Sequence, residues 1–258
     1  MAASIHPTSI VSPEAQIADG VEIGPFCTIG PRVKIGQGTR IISHVVIDGI
    51  VEVGEENTFY PFCAIGMAPQ DLTYKDEETG VIIGNKNRFR ESVTVNRGTF
   101  KDKRVTRIGN NNYFMITSHA AHDCIVGNNN VLANQVALAG HVEVGNFVNI
   151  GGVTGITQHC RIGDYGFIGA GSVLRRDLPP YMCAKEFSQV SGPNLVGLKR
   201  GGISEENVRV ARELYKILYL GNQTTDKAIE EMTQRFSSNP FAQHFIDFLK
   251  ETKIGIQR

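Results

Sequence analysis

The chain has 258 residues, of which 41% are apolar, and this size accommodates one large domain and a smaller one. Its 26 basic and 26 acidic residues cancel, so the composition gives no support for binding to nucleic acid or to an anionic membrane surface. We find neither the pattern of a signal peptide nor an apolar run of membrane-spanning length, and we therefore expect a cytoplasmic protein without a membrane span.

A hexad repeat organises most of the chain. From Ile5 to Ile65 an aliphatic or aromatic residue occupies every sixth position, and the same phase restarts at Ile83 and at Ile108 and then continues to Leu174. Glycine often follows this residue and supplies the backbone freedom that repeated corners require. The period matches neither a helix nor a lone strand. It predicts short strands that turn a corner after each hexad and stack into a solenoid with one continuous core.

The pattern resembles the hexapeptide-repeat family of left-handed parallel β-helices, in which three hexads form one triangular coil. The resemblance implies an all-β solenoid in which residues 18 positions apart stack within an uninterrupted run. Four of the five cysteines take the same place in their hexads, so we expect them to be small buried residues that are too far apart for disulfides. These are Cys27, Cys63, Cys124 and Cys160.

Two polar insertions, residues 71–82 and 101–107, interrupt the repeat, and loops of this kind commonly line the binding face of a solenoid. The stretch DLPPY, residues 177–181, contains two prolines that cannot donate to a strand ladder. We expect this stretch to end the repeat and a connecting segment to follow as far as about residue 202.

A helical period begins after Ser204, which is a good N-cap, and two further amphipathic segments follow at about 225–236 and 240–252. These segments predict a small C-terminal α-helical domain, residues 191–258, beside a β-helix domain, residues 1–190. The helical part holds too little apolar surface to fold alone, so we expect it to pack on the solenoid or on a neighbouring subunit.

Counting hexads places two adjacent columns of polar residues at one corner, and four of the seven histidines collect there. Spacing alone leaves three interpretations open: a solvated histidine ladder, a metal site with three histidine ligands, or a general base that an adjacent carboxylate orients. One column is His122, Gly140 and Gln158, the other is Asp123, His141 and His159, and Asn96 and His119 lie beside them.

Seven motifs occur in the order MAPQDLTY, RESVTVNRGT, SHAAHDC, LAGHVEVGNF, ITQHCRIGD, DLPPY and NLVGLKRGG. Together they resemble the UDP-N-acetylglucosamine acyltransferases over essentially the whole chain. The resemblance implies transfer of an R-3-hydroxyacyl chain from acyl carrier protein to the 3-hydroxyl of UDP-N-acetylglucosamine, the first step of lipid A biosynthesis. It also implies a homotrimer with sites between subunits, and a reaction that uses neither a cofactor nor a metal.

The resemblance also assigns roles to individual residues. It implies that His122 is the general base, that Asp123 holds its imidazole, and that the backbone N–H of Gly140 donates to the developing oxyanion. Phe167 and Ala170 match the region of the ruler that sets the acyl chain length. The positions that match the sugar-nucleotide site are Gln70, Asp71, Asn96, His119, His141, Gln158, Asn194 and Arg200.

Three positions depart from the family pattern. Asn96 and Thr157 stand where the family usually has histidine, and Gly201 stands where it has a second arginine. None of these changes removes the proposed base, but they leave the acceptor open, because some family members use a 3-amino analogue of the sugar and form an amide. Two alternatives come from other classes: a metal-dependent hydratase like the γ-class carbonic anhydrases, and a non-catalytic trimeric scaffold.

Overall fold

The computed structural model describes residues 2–185 and 188–258, and within them short strands form three long sheets around one core. We call these sheets faces A, B and C. The chain passes through A, B and C in turn, and the strands of successive coils pair in parallel within each face; only the last strand of face A, Gln189–Pro193, pairs antiparallel among the described strands. The predicted left-handed parallel β-helix with a C-terminal helical region is confirmed.

Most strands contain only two residues, as expected for a chain that turns a corner in every hexad. Face A consists of Ser4–Ile5, Glu22–Ile23, Arg40–Ile41, Thr58–Phe59, Arg88–Phe89, Tyr113–Phe114, Val131–Leu132, Asn149–Ile150, Phe167–Ile168, Met182–Lys185 and Gln189–Pro193. Face B consists of Ile10–Val11, Thr28–Ile29, Val46–Ile47, Ala64–Met67, Thr94–Asn96, His119–Ala120, Ala137–Leu138, Gly155–Ile156 and Val173–Leu174. Face C consists of Gln16–Ile17, Val33–Ile35, Ile50–Val53, Gly80–Ile83, Val105–Ile108, Ile125–Val126, Glu143–Val144 and Arg161–Ile162.

The strand register confirms the stacking distance, since Ala120 pairs with Leu138 in face B. The apolar residue of each hexad points inward and is buried in all but the first coil. Three phenylalanines form a stack in the core, with ring centroids 4.8 Å apart for Phe59 and Phe89 and 5.0 Å apart for Phe89 and Phe114. The four cysteines predicted to be buried are free thiols inside the solenoid.

A buried column of asparagines reinforces this register. The Oδ1 of Asn112 accepts a hydrogen bond of 2.9 Å from the N–H of Asn130, and its Nδ2 donates to the carbonyl of Gly127 at 2.8 Å. Each side chain therefore satisfies one donor and one acceptor of the neighbouring coil, which keeps buried polar groups paired. The column consists of Asn57, Asn87, Asn112 and Asn130.

The structure corrects two expectations about where the repeat is interrupted. Both insertions end earlier than expected, because Gly80–Ile83 and Val105–Ile108 are already paired in face C. The prolines of DLPPY do not end the repeat: Met182–Lys185 pairs in parallel with Phe167–Ile168. Pro179 and Pro180 lie at a corner between two bonded residues, where the ladder needs no donor from them.

Four helices follow the solenoid, and the first of them lies in the segment expected to be a connection. The caps are side chains that accept from a backbone N–H in the first turn, at Asn194, Ser204, Thr224 and Asn239. Every helix in residues 2–185 and 188–258 is too short or too polar to span a membrane. The helices are α1 (Leu195–Arg200), α2 (Glu205–Tyr215), which continues as a π-helical turn (Lys216–Leu220), α3 (Thr225–Arg235) and α4 (Pro240–Lys250).

Helix α4 attaches the helical region to the last coil. The ring of Phe241 stacks on Tyr181, with centroids 3.9 Å apart, and Nε2 of His244 lies 3.4 Å from Oδ2 of Asp164. The other oxygen of Asp164 accepts from the backbone N–H of Asn146 at 2.7 Å. The carboxylate of Asp164 therefore connects helix α4 to the corner where the chain leaves face C for face A.

This ion pair makes the attachment of α4 pH-dependent. The hydrogen bond to Asp164 raises the pKa of His244 above its ordinary 6.5. Burial opposes ionisation of Asp164, but its bonds to His244 and Asn146 outweigh burial and hold its pKa below the ordinary 3.8. The ion pair therefore stabilises the folded protein fully between pH 3.8 and pH 6.5, the ordinary pKa values of the two groups. This stabilisation is lost as the pH rises through the raised pKa of His244 or falls through the lowered pKa of Asp164.

We expect His244→Gln to lower the unfolding midpoint by about 1–2 °C near pH 5.5 and by less near pH 8.5, because a half-exposed pair contributes only about 0.5 kcal/mol. Differential scanning calorimetry at the two pH values measures this difference. His6→Gln removes an exposed histidine that makes no ion pair in the described structure and serves as the control. An equal loss at both pH values would contradict the assignment.

Candidate active site

The polar columns lie at the corner where the chain leaves face B for face C. Asp123, His141 and His159 occupy equivalent positions in three successive coils, with φ angles of 58°, 64° and 63°. Aspartate and histidine are among the few residue types that adopt this left-handed conformation with moderate strain. The same backbone geometry that turns the corner therefore places a column of titratable side chains on one flank.

His122 and Asp123 form a buried pair at this corner. Nδ1 of His122 lies 3.0 Å from Oδ2 of Asp123. The same carboxylate accepts from the backbone N–H of Thr99 at 3.0 Å and from its hydroxyl at 2.6 Å, and the N–H of Asp123 donates to the hydroxyl of Thr106 at 2.9 Å. A carboxylate that accepts from Nδ1 keeps the proton on that nitrogen, which leaves Nε2 as the acceptor.

Gly140 lies directly against the imidazole of His122, as the period predicts. A Cβ placed on Gly140 would be 2.5 Å from Cε1 and 2.7 Å from Nε2 of that ring, so no other residue fits without displacing it. Within the described residues the N–H of Gly140 donates to no protein acceptor, unlike that of His141, which donates to the carbonyl of His122 at 3.0 Å. The free N–H of Gly140 therefore lies beside the imidazole of His122, whose Nε2 can accept a proton.

The remaining histidines of the patch differ in their contacts. The ring of His141 is edge-on to His122 and stacks on His159, with centroid distances of 5.0 and 4.5 Å. Burial, together with the nearby ring of His141, lowers the pKa of His159. Burial also lowers the pKa of His119, whose Nδ1 lies 2.7 Å from the hydroxyl of Thr94. These two rings are therefore neutral at physiological pH.

A cleft of about 1350 Å³ opens onto this corner. Five residues predicted to act in the site line it, and the pKa of one of them, Asp71, is lowered by hydrogen bonds from Lys101 and Thr73, so that it stays ionised. The cleft continues along face C to residues 250–254, after helix α4. The predicted residues in its lining are Gln70, Asp71, His122, His141 and Gln158.

A second cleft, of about 560 Å³, lies on face A and holds three more of the predicted residues, Phe167, Asn194 and Arg200. The side chain of Asn194 is occupied as the cap of α1: its Oδ1 accepts from the N–H of Gly197 and its Nδ2 donates to the carbonyl of Tyr165. Within one chain, Phe167, Asn194 and Arg200 therefore lie in a different cleft from His122.

Besides Asp123 and Gly140, three predicted residues lie outside the lining of both clefts. Asn96 is buried in face B, where its Nδ2 donates to the carbonyl of Ala68 at 3.1 Å. Its neighbour in the strand, Val95, pairs with Ala120, so Asn96 lies one coil away from the His122 corner. His119 precedes that corner in the same face, and Ala170 is exposed after Phe167–Ile168.

Sequence reasoning missed the polar residues of the second insertion and Thr99 just before it. Thr99 contacts Asp123, and Oδ2 of Asp102 lies 2.8 Å from Nδ1 of His141. The only signal available in the sequence was the polar composition of the insertion, which indicates a binding loop and does not specify its partners.

The contacts at the corner favour a base over a metal site. Ligand atoms of His122, Asp123 and His141 lie within 4.8 Å of one another, which is the donor set of a metal site. However, both oxygens of Asp123 already accept hydrogen bonds from Thr99, and its Oδ2 faces Nδ1 of His122, so two of the three donors are paired with each other. The adjacent thiol of Cys124 is not a nucleophile, since burial raises its pKa to about 12.

Comparison with known proteins gives one consistent family. A family model described as UDP-N-acetylglucosamine O-acyltransferase, domain 2, matches residues 177–257, and one described as bacterial transferase hexapeptide (six repeats) matches residues 14–49. The LpxA structure from Acinetobacter baumannii is 42% identical with a TM-score of 0.96, and the UDP-N-acetylglucosamine O-acyltransferase of Moraxella catarrhalis is 41% identical with a TM-score of 0.96. The UDP-N-acetylglucosamine acyltransferase of Campylobacter jejuni is 32% identical with a TM-score of 0.93. Each comparison covers 98% of this chain and 99% of the other.

The contact between Gly140 and the imidazole gives a direct test of the site geometry. We expect Gly140→Ala to displace the ring of His122 and break its 3.0 Å bond to Asp123, because the added methyl group overlaps the ring. Proton NMR of the Nδ1–H signal, assigned with His122→Gln, measures the loss. Gly155→Ala is the matched control, since a Cβ there meets nothing within 4 Å. A retained signal in Gly140→Ala would show that the ring is not held there.

Proposed function

Because the chain belongs to the UDP-N-acetylglucosamine O-acyltransferase family, we propose that it transfers an R-3-hydroxyacyl chain from acyl carrier protein to the 3-hydroxyl of UDP-N-acetylglucosamine. This is the first step of lipid A biosynthesis, and we propose that it takes place in the cytoplasm. The observation that carries the proposal is the buried His122–Asp123 pair with the free N–H of Gly140 beside it.

The proposed chemistry uses these three groups in sequence. Nε2 of His122 removes the proton of the sugar hydroxyl as its oxygen attacks the thioester carbonyl. The N–H of Gly140 donates to the oxyanion of the tetrahedral intermediate, a contribution of about 3 kcal/mol in other acyl transfers. The C–S bond then breaks, and the imidazolium returns its proton to the leaving thiolate. Asp123 stabilises the imidazolium and keeps the ring in the required tautomer.

We propose that the first cleft holds the sugar. Gln70 and Asp71 lie in the loop over the cleft, and His141 and Gln158 lie in the two polar columns next to His122. The ionised carboxylate of Asp71 is suited to accept from sugar hydroxyls, while the amide of Gln158 can both donate and accept. Asn96 and His119 support this site from the adjacent strands of face B.

The proposed diphosphate site requires a second copy of the chain. Arg200 suits a diphosphate because its guanidinium offers several fixed donors, but it lies on face A, in a different cleft from His122. Asn194 lies beside it and orders the first turn of α1. We infer that face A of one subunit meets the His122 corner of another in a homotrimer, so that one active site draws on two chains.

Asn96 supports the 3-amino sugar as a second candidate acceptor. Its Oδ1 is buried and lacks a hydrogen-bond partner within the described residues, so it can accept from one donor. A 3-amino group has two N–H donors, so it can serve Nε2 of His122 and one further acceptor, whereas a hydroxyl has a single donor.

We propose that Phe167 and Ala170 limit the length of the acyl chain. Phe167 lines the second cleft, and Nζ of Lys185 lies 5.9 Å from the centroid of its ring. Because each methylene contributes only about 0.8 kcal/mol, a ruler of this kind must act by steric exclusion at the end of the chain.

The assignment of the base is tested by His122→Ala. We expect the variant to fold normally and to lose activity by a factor of about 10² or more, because the hydroxyl then loses its proton acceptor. Initial rates with acyl carrier protein thioester and UDP-N-acetylglucosamine measure the loss, and circular dichroism checks the fold. His6→Ala removes an exposed histidine as the control. Near-full activity in His122→Ala would refute the assignment.

The acceptor and the chain length are tested together by a competition experiment. The protein is given a mixture of R-3-hydroxyacyl carrier proteins of several chain lengths, with UDP-N-acetylglucosamine and its 3-amino analogue at equal concentration. We expect mass spectrometry to detect ester products of one dominant length, and Ala170→Leu to shift that length downward by steric exclusion. If amide products predominated, the acceptor would be the 3-amino group, and the proposed 3-hydroxyl acceptor would be wrong.

A further inference from the structure

Residues 99–103, which we call the strap, run into the second insertion and lie across the candidate active site. Four of its five residues each contact a different part of the site: two of these contacts are salt bridges and a third is a histidine–carboxylate pair, all with atoms within 2.8 Å. The strap therefore takes its conformation from the site residues that it contacts. The contacts are Thr99 with Asp123, Lys101 with Asp71, Asp102 with His141, and Lys103 with Glu143.

The contact between Asp102 and His141 forms a second histidine–carboxylate pair beside the first. Oδ2 of Asp102 lies 2.8 Å from Nδ1 of His141, whereas the nearest oxygen of Asp123 is 4.0 Å from that nitrogen. Lys103 lies 3.8 Å from Asp102 and 2.8 Å from Glu143, and its charge offsets their mutual repulsion. The His141 side chain is only 11% exposed and lines the first cleft.

This pair determines which nitrogen of His141 is available to a ligand. The carboxylate accepts a hydrogen bond from the N–H of Nδ1, so the neutral ring presents Nε2 as a hydrogen-bond acceptor. The stacked ring of His159 and the edge-on ring of His122 restrict the same imidazole on two sides. Without Asp102, the ring could take either tautomer, and one of the two presents an N–H where the substrate hydroxyl also presents a donor.

We propose that Asp102 is a positioning residue that fixes the tautomer and orientation of His141, so that Nε2 accepts a hydrogen bond from a hydroxyl of the sugar nucleotide. This inference rests on the proposed function, because it takes the sugar nucleotide as the ligand of the first cleft. It assigns a role in the acceptor site to the insertion and leaves the acyl donor site unaffected.

Steady-state kinetics test the role. We expect Asp102→Asn to raise the KM for UDP-N-acetylglucosamine about 10-fold, because this corresponds to the loss of one hydrogen bond to a charged group. The KM for the acyl carrier protein thioester should stay unchanged. In a His141→Gln background the same substitution should have no further effect. Asp76→Asn, which removes an exposed carboxylate from the neighbouring loop, is the control matched in charge. A loss of the same size in both backgrounds would overturn the proposal, because it would mean that Asp102 acts on the loop as a whole.

A second measurement does not depend on activity. Long-range ¹H–¹⁵N correlation spectra report the tautomer of each histidine, and the His141→Gln variant identifies the signals of His141. We expect a single tautomer with the proton on Nδ1 in the wild type and a mixture in Asp102→Asn. An unchanged tautomer in Asp102→Asn would overturn the proposal. A wild-type protein that transfers no acyl group would refute the proposed function, and the tautomer would still decide whether Asp102 positions His141.

Discussion

The strand register between successive coils is the constraint on which every other feature depends. Backbone N–H groups of one coil donate to carbonyls of the next, so Ala120 pairs with Leu138, 18 residues later. A slip of one residue would turn each inward side chain to the outside. The buried asparagine column opposes such a slip, because only in this alignment can the side chain of Asn112 hydrogen-bond to both the N–H of Asn130 and the carbonyl of Gly127. The pairing of His122 with Gly140 is a direct result of the same alignment.

The periodic part of the site could be predicted from the sequence, and the insertions could not. Counting places Gly140 against His122, and the structure has this contact. Counting across the second insertion also pairs Val95 with Ala120 correctly, although they are 25 residues apart. Asp102 belongs to a segment without a period, and its contact with His141 depends on the path of the loop, which no repeat specifies.

The structure overturns one local expectation, at the prolines of DLPPY, and shows a second role for one predicted residue, Asn194. Proline ends a strand only where the ladder needs its N–H, and Pro179 and Pro180 lie at a corner where the flanking residues donate instead. Asn194, which the resemblance assigns to the substrate site, has in addition the side chain of a strong N-cap and caps α1. A role in substrate binding for Asn194 must therefore act through the helix that it caps or through its remaining hydrogen-bonding capacity.

The division of roles between the two histidine–carboxylate pairs follows from their surroundings. Both rings have Nδ1 facing a carboxylate, so both present Nε2 as an acceptor, and their chemical identity does not distinguish the base. What distinguishes them is the neighbouring backbone. Only His122 has the N–H of Gly140 against its ring, and an oxyanion formed at an attacked carbonyl needs that donor close to the base that starts the attack. His141 lies edge-on to His122, so under the proposed function it contacts the acceptor sugar and takes no part in the bond that forms.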